Sequence, residues 1–236
     1  MDRDLVERIN HHVKQRGFDP QLSNLAELLL YEREKHPPLD FAFLYSNTRD
    51  NQDSVFGGAA KLKQRGLAHL FLVIGSDDDT TGFPGYTRWS AALEAVVGPE
   101  NIRPVPLLPM KKDRRVNVNN LSESESMVAF AEELNMPSLY VVAWNVQQMR
   151  AVMTAASAVR GENSALNIFS YSGTKLPWGD IVYHSQGIDR GTREEFVQRE
   201  LERIVRYQAQ GDIMPAKDVI SYMESRTIPP ATATVK

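Results

Sequence analysis

Residues 139–171 read LYVVAWNVQQMRAVMTAASAVRGENSALNIFSY, and this stretch decides the fold class. Leu139 to Trp144 is apolar on both faces, as a strand buried inside a sheet must be. Gln147 to Arg160 then carries Met149, Val152, Met153, Ala156 and Val159 at helical spacing. Leu166 to Tyr171 returns to a short apolar run and predicts a further strand. Strand, helix and strand in succession need a crossover connection, which is right-handed and joins parallel strands.

The same alternation extends toward the N-terminus. Asp40 to Tyr45 predicts a strand that runs into a polar loop, Ser46 to Asp50, and a helix follows from Asp53 to Gln64. Leu70 to Ile74 predicts a second strand, the loop Gly75 to Asp79 follows it, and Tyr86 to Val97 predicts a helix closed by Gly98-Pro99. Ile102 to Leu108 is a weaker strand, confined to an edge or a loop by Pro104, Pro106 and Pro109. Leu121 to Leu134 is helical. The pattern predicts an α/β fold over residues 39–172: an open, doubly wound, mostly parallel sheet with helices on both faces.

Extra helices flank this core. In residues 1–38, Leu5, Ile9 and Val13 share one face before Gly17, and a second helix spans Gln21 to Lys35 ahead of Pro37-Pro38. In residues 173–226, Thr192 to Gln208 and Pro215 to Ser225 predict two helices packed on the same core. The tail, residues 227–236, is expected to be disordered.

Composition narrows the functional classes. With 27 basic against 30 acidic residues, the chain has no excess of positive charge for a nucleic-acid partner. Zero cysteines exclude disulfides, thiolate metal sites and a cysteine nucleophile. No apolar run approaches the roughly 20 residues of a membrane span, and the opening residues lack the apolar core of a signal peptide. The expectation is a cytoplasmic protein with a small-molecule ligand and neither a nucleic-acid nor a membrane partner.

In an open α/β sheet, ligands bind beyond the carboxyl ends of the strands. That rule selects four loops: Ser46 to Asp50, Gly75 to Asp79, Asn117 to Glu123 and Asn145 to Gln148. Asp77-Asp78-Asp79 would suit Mg²⁺ or a ribose hydroxyl, or equally a solvated turn with an aspartate capping an amide. Gly75 would let a ligand approach the backbone. Ser122 and Glu125 fit a capping box with Ser122 as N-cap, whereas Glu123, close behind Asn120, is free to face the cleft as an acceptor or general base. Arg150 falls in the first turn of its helix, where a cation opposes the dipole; it would hold an anion, or else pair with Glu123 or Glu125. Among the histidines, His184 alone sits in a loop suited to chemistry.

The stretch from Asn117 to Gly161 resembles the YdcF/SanA/ElyC-like proteins, a Rossmann-like family of largely unknown function. Asn120 and Glu123 match its polar turn opening a helix, and Arg150-Ala151 match its Arg-Ala pair; Phe43-Leu44-Tyr45 and Val73-Ile74-Gly75 sit at its first two strands. Gln147 stands where that family has a histidine and Asn120 where it has a threonine, and a glutamine side chain is no acid or base. The resemblance implies a nucleotide-type ligand, with S-adenosylmethionine among those to test.

Three readings follow. In the first, Asn47, Gly75, Ser76, Asp77, Asn120, Glu123, Gln147 and Arg150 bind a nucleotide-type or other anionic small molecule. Arg150 neutralises it, Glu123 orients a hydroxyl or Arg150, and Asn120 and Gln147 supply neutral hydrogen bonds. In the second, the chain is a hydrolase or transferase acting on a phosphorylated small molecule, with Glu123 as base and Asp77 to Asp79 holding a metal. In the third, it is an interaction protein with a vestigial cleft.

Overall fold

The central strands of the main sheet, residues 41–44, 70–74 and 138–142, are short, largely apolar segments buried on both faces, so helices must cover the sheet on either side. The computed structural model describes residues 1–32, 36–77, 82–110, 118–184 and 189–227. In chain order they form α1 (Arg3–Arg16), α2 (Gln21–Glu32), β1 (Phe41–Leu44), α3 (Arg49–Gln64), β2 (Leu70–Ile74), α4 (Tyr86–Val97), β3 (Ile102–Val105) and α5 (Asn120–Glu133). There follow β4 (Ser138–Val142), α6 (Gln148–Gly161), β5 (Asn167–Ser170), β6 (Ile181–His184), β7 (Asp189–Thr192), α7 (Arg193–Gln210) and α8 (Ala216–Ser225).

Strands β1 to β5 make one sheet in the order β3-β2-β1-β4-β5, with every pairing parallel. The chain first winds outward from β1 to β3, then crosses back to β4 on the other side of β1. Right-handed crossovers in opposite directions place helices on opposite faces. Thus α3 and α4 pack together against β1, β2 and β3, while α5 and α6 pack together against β3, β4 and β5. This is the open, doubly wound α/β fold that the alternation predicts. The order reverses between β1 and β4, which leaves a crevice beyond their carboxyl ends.

Edges are protected by different means. Pro104, in β3, has no N–H to offer a further strand. At the other edge the Tyr222 hydroxyl of α8 accepts from the Ile168 N–H at 3.0 Å and donates to the Leu166 carbonyl at 2.8 Å. Apolar side chains of α1, α2, α7 and α8, among them Leu5, Leu25, Phe196 and Val219, belong to the same buried cluster as the sheet.

Several boundaries differ from the sequence reading. The α3 helix begins at Arg49, so Arg49 and Asp50 belong to its first turn and not to the preceding loop. Strand β4 ends at Val142, which leaves Ala143 and Trp144 beyond it in the connecting loop. The N-cap of α5 is Asn119, whose Oδ1 accepts from the N–H groups of Leu121 and Ser122; the Ser122 hydroxyl accepts in turn from the Asn119 N–H. Ser122 therefore plays the part expected of Glu125, with the capping box set three residues earlier. The antiparallel hairpin β6–β7 lies where the sequence reading places a loop ahead of the Thr192 helix, and His184 is the last residue of β6. Residues 33–35 at the expected end of α2, and 228–236 of the expected disordered tail, lie outside the described residues.

Candidate functional site

The crevice between β1 and β4 is built by the loops that leave those strands and by the first turn of α5. From β1 come Ser46 and Asn47. The β4 loop brings Trp144, Asn145 and Gln147, and α5 brings Asn120 and Glu123. Of the residues singled out in sequence, Asn47, Asn120, Glu123 and Gln147 converge here.

Three side-chain amides form a relay whose direction is fixed at one end. The Thr48 backbone N–H donates to Asn47 Oδ1 at 3.2 Å, so Asn47 must present its Nδ2 to Gln147, donating to Oε1 at 2.8 Å. Gln147 consequently donates its Nε2 to Asn120 Oδ1 at 2.7 Å. Asn120 is then left with its Nδ2 pointing away from the relay, buried and without a partner among the described residues. Nδ2 of Asn145 and Nε1 of Trp144 on the neighbouring loop are in the same condition. The Asn145 orientation is also pinned, because its Oδ1 accepts from the Val146 N–H at 3.0 Å. The Ser46 hydroxyl of the β1 loop is likewise buried and unpartnered among the described residues, so these loops hold unsatisfied polar atoms, and the two amide donors of Asn120 and Asn145 call for acceptors.

Glu123 lies behind the relay with only 1% of its surface exposed, and its Oε1 accepts from the Ser46 N–H at 2.7 Å. Burial pushes its carboxyl up to about 8, outweighing hydrogen bonding from Ser46 and the positive charge of Arg150. At neutral pH it is mainly the uncharged acid. The adjoining Tyr45 hydroxyl meets Ser124 Oγ at 2.5 Å, and that hydroxyl donates to the Asn120 carbonyl at 2.6 Å, which anchors the start of α5 to β1.

Arg150 is near enough for its charge to act on Glu123, but its partner is neither Glu123 nor Glu125. Its Nε and Nη2 donate to the two oxygens of Glu200 on α7, at 2.6 and 3.3 Å. His184 also meets Glu200, at 2.9 Å, and Arg203 bridges Glu200 to Asp189. Burial alone would raise the Glu200 carboxyl; Arg150, His184 and Arg203 together hold it well below the ordinary carboxylate range. Burial pushes His184 down, against the pull of Glu200, so the ring is neutral near pH 7 and donates from Nε2. The cluster ties the β6–β7 hairpin and α7 to α6. The hairpin also reaches the start of α3: Thr48 Oγ1 donates to the Tyr183 carbonyl at 2.8 Å, and the Tyr183 N–H donates to Asp50 at 2.7 Å.

Gly75 and Asp77 serve the connection from β2 to α4 instead. The Gly75 N–H donates to the Val105 carbonyl at 2.8 Å, and a Cβ there would stand 3.0 Å from Pro104, so its bare side faces β3. Ser76 accepts at its carbonyl from the Tyr86 N–H at 2.8 Å. Asp77 accepts from both the N–H and the hydroxyl of Thr87 at 2.8 Å, which lowers its carboxyl, and so secures the first turn of α4. Asp78, Asp79, Arg114 and Arg115 lie outside the described residues. Among the described residues no group of three or more His, Asp and Glu side chains is arranged to hold a metal ion. Nor is any described helix long and apolar enough to cross a membrane.

Sequence reasoning selects the loop Asn145 to Gln148 without singling out Asn145, and it overlooks Glu200 and Arg203. Glu200 carries a signal: Phe196, Glu200 and Ile204 recur every four residues, which puts Glu200 on the apolar stripe of α7. Compared with known proteins, the chain matches no protein family and no curated sequence.

Proposed function

We propose that the chain binds an acceptor-rich small molecule, of nucleotide type or another anion, in the crevice between the β1 and β4 loops. The observation that carries this reading is the relay Asn47–Gln147–Asn120, which ends on an unpartnered buried amide donor, with a second such donor on Asn145 of the β4 loop. A buried N–H without a partner costs roughly 1–3 kcal/mol. Phosphate, carboxylate or carbonyl oxygens in the crevice would recover that cost.

In this reading Asn120 and Asn145 contact the ligand. Asn47 and Gln147 hold Asn120 in orientation, and Glu123, uncharged at neutral pH, contributes no repulsion against an anion. Arg150 acts at one remove, through its charge, because Glu200 occupies its guanidinium. The likeness to the YdcF/SanA/ElyC-like proteins adds S-adenosylmethionine to the nucleotides worth testing. Thermal-shift and calorimetric titration with S-adenosylmethionine, AMP and ATP, each with and without Mg²⁺, tests the proposal. A saturable rise in melting temperature that is lost in Asn120→Ala and in Asn145→Ala supports it. A shift unchanged in both variants rejects this site.

A second reading, an acid–base enzyme acting on a phosphorylated small molecule, draws on one observation. The Glu123 carboxyl is tuned close to neutral pH, where proton transfer is most effective. Turnover of a generic phosphoester that disappears in Glu123→Gln is its test.

A further inference from the structure

A second concavity shares none of its lining residues with the crevice. It encloses about 300 Å³ between the first turn of α1, Lys61 of α3 and residues 171–175. The volume is at the lower end of those that hold small organic ligands.

Its floor is rigid. The Gly173 N–H donates to the Ala143 carbonyl at 2.9 Å, the Thr174 N–H donates to the Ser54 carbonyl at 2.8 Å, and the Ser54 hydroxyl donates to the Thr174 carbonyl at 2.6 Å. Tyr171 is 6% exposed, its ring wedged against His36 and Tyr140, yet its hydroxyl has no hydrogen-bond partner among the described residues. The adjacent Ser172 hydroxyl is buried and likewise unpartnered. Two neighbouring hydroxyls, held in place and unused, line one wall.

The charges around the opening are unequal in their engagement. Asp2 is occupied as the N-cap of α1, accepting from the Leu5 N–H at 3.0 Å. Asp4 is shared by Lys175, Arg8 and Trp178. Lys61 and Arg3 have no acidic partner among the described residues, so positive charge is left over at the mouth. Of the first-turn N–H groups of α1, Asp2 takes those of Leu5 and Val6, which leaves those of Arg3 and Asp4 at the positive end of the dipole.

We propose that this concavity is a second binding site, for a small organic anion. A phosphate or carboxylate head would lie between Lys61 and the start of α1, and a compact body against Tyr171 and Ser172. Phosphate and carboxylate share the chemistry of the head; the rigid hydroxyl pair accepts only a ligand with polar atoms behind it.

The test is titration of the ¹⁵N-labelled chain with phenyl phosphate, benzoate and inorganic phosphate, followed by amide chemical shifts. Saturable shifts at Asp4, Gly173 and Thr174, weakened about tenfold or more in Lys61→Glu and also weakened in Tyr171→Phe, support the site. Phenyl phosphate saturating before benzoate identifies a phosphoester ligand, and the reverse order a carboxylate. The proposal is overturned by shifts that persist in Lys61→Glu, by shifts confined to Ser46 and Gln147 in the crevice, or by no saturation at about 10 mM. Asn120→Ala, which alters the crevice, leaves these titrations unchanged, so the two sites stand or fall separately.

Discussion

Arg150 and Glu200 form a two-point ion pair, Nε to Oε2 at 2.6 Å and Nη2 to Oε1 at 3.3 Å, with both side chains less than a tenth exposed. The pair joins α6, which begins beside the crevice, to α7, which belongs to the C-terminal segment. A guanidinium enclosed in this way is a structural anchor first.

Arg150→Met leaves the Glu200 carboxylate buried with one fewer cation. Breaking such a pair from one side costs about 3–5 kcal/mol, whereas replacing both partners by apolar residues costs much less. Denaturant midpoints for Arg150→Met, Glu200→Leu and the double variant are therefore expected to be strongly non-additive, with the double variant more stable than the sum of the single losses. Additive losses would mean that the pair is not coupled.

Glu123 holds its proton more tightly folded than unfolded, because burial raises its carboxyl to about 8. Between roughly pH 5 and 8 the unfolded chain has released that proton and the folded chain has kept it, so stability falls as pH rises. The slope contributed is up to about 1.4 kcal/mol per pH unit. Glu123→Gln removes this slope. Relative to the native chain, the variant gains stability steadily from pH 5 to pH 8 and levels off above; parallel stability curves for the two proteins would contradict the assignment.

His184 has the opposite sign. Its folded ring is harder to protonate than the unfolded one, because burial pushes it down. Above about pH 6.5 both states are neutral and nothing is lost. Below it, the unfolded chain takes up a proton that the folded chain refuses, and stability declines. His184→Gln is expected to be less sensitive to acid over pH 4.5–6.5, as followed by thermal melts across that range.

Gly173 runs against backbone on two sides. An added Cβ would stand 2.7 Å from the Ala143 carbonyl oxygen, 2.7 Å from the Ser54 carbonyl oxygen and 2.5 Å from the Ser54 hydroxyl. Gly173→Ala must displace the segment that closes β5 onto α3, at a cost of about 1–3 kcal/mol. Equilibrium unfolding measures it directly, and a neutral result would show that this segment yields easily.

The parts legible from sequence are those with a strong local period. Strand β2 and helix α4 match their expected limits, Leu70 to Ile74 and Tyr86 to Val97, because apolar runs, Gly98 and Pro99 mark them without help from distant residues. The hairpin was missed because Asp189 to Thr192 carries no apolar alternation and Ile181 and Tyr183 face solvent. In α5, Asn119 and Ser122 could each cap a helix, and the choice rests on which hydroxyl or amide meets the free N–H groups in space. The same holds at the site. The rule about strand ends selects the loops bearing Asn47, Asn120, Glu123 and Gln147. The partner of Arg150 is 50 positions away on another helix, a pairing that local periodicity cannot reveal.

Strand β1, residues 41–44, sits in the middle of its sheet, bonded to β2 on one side and to β4 on the other. During synthesis, β2 and β3 leave the ribosome soon after it, whereas β4 follows almost a hundred positions later. One flank of the central strand therefore waits, with unpaired amides and apolar side chains, while the nascent chain is extended. Chaperone contacts with this protein are expected to concentrate on that flank and to end when Val142 has emerged.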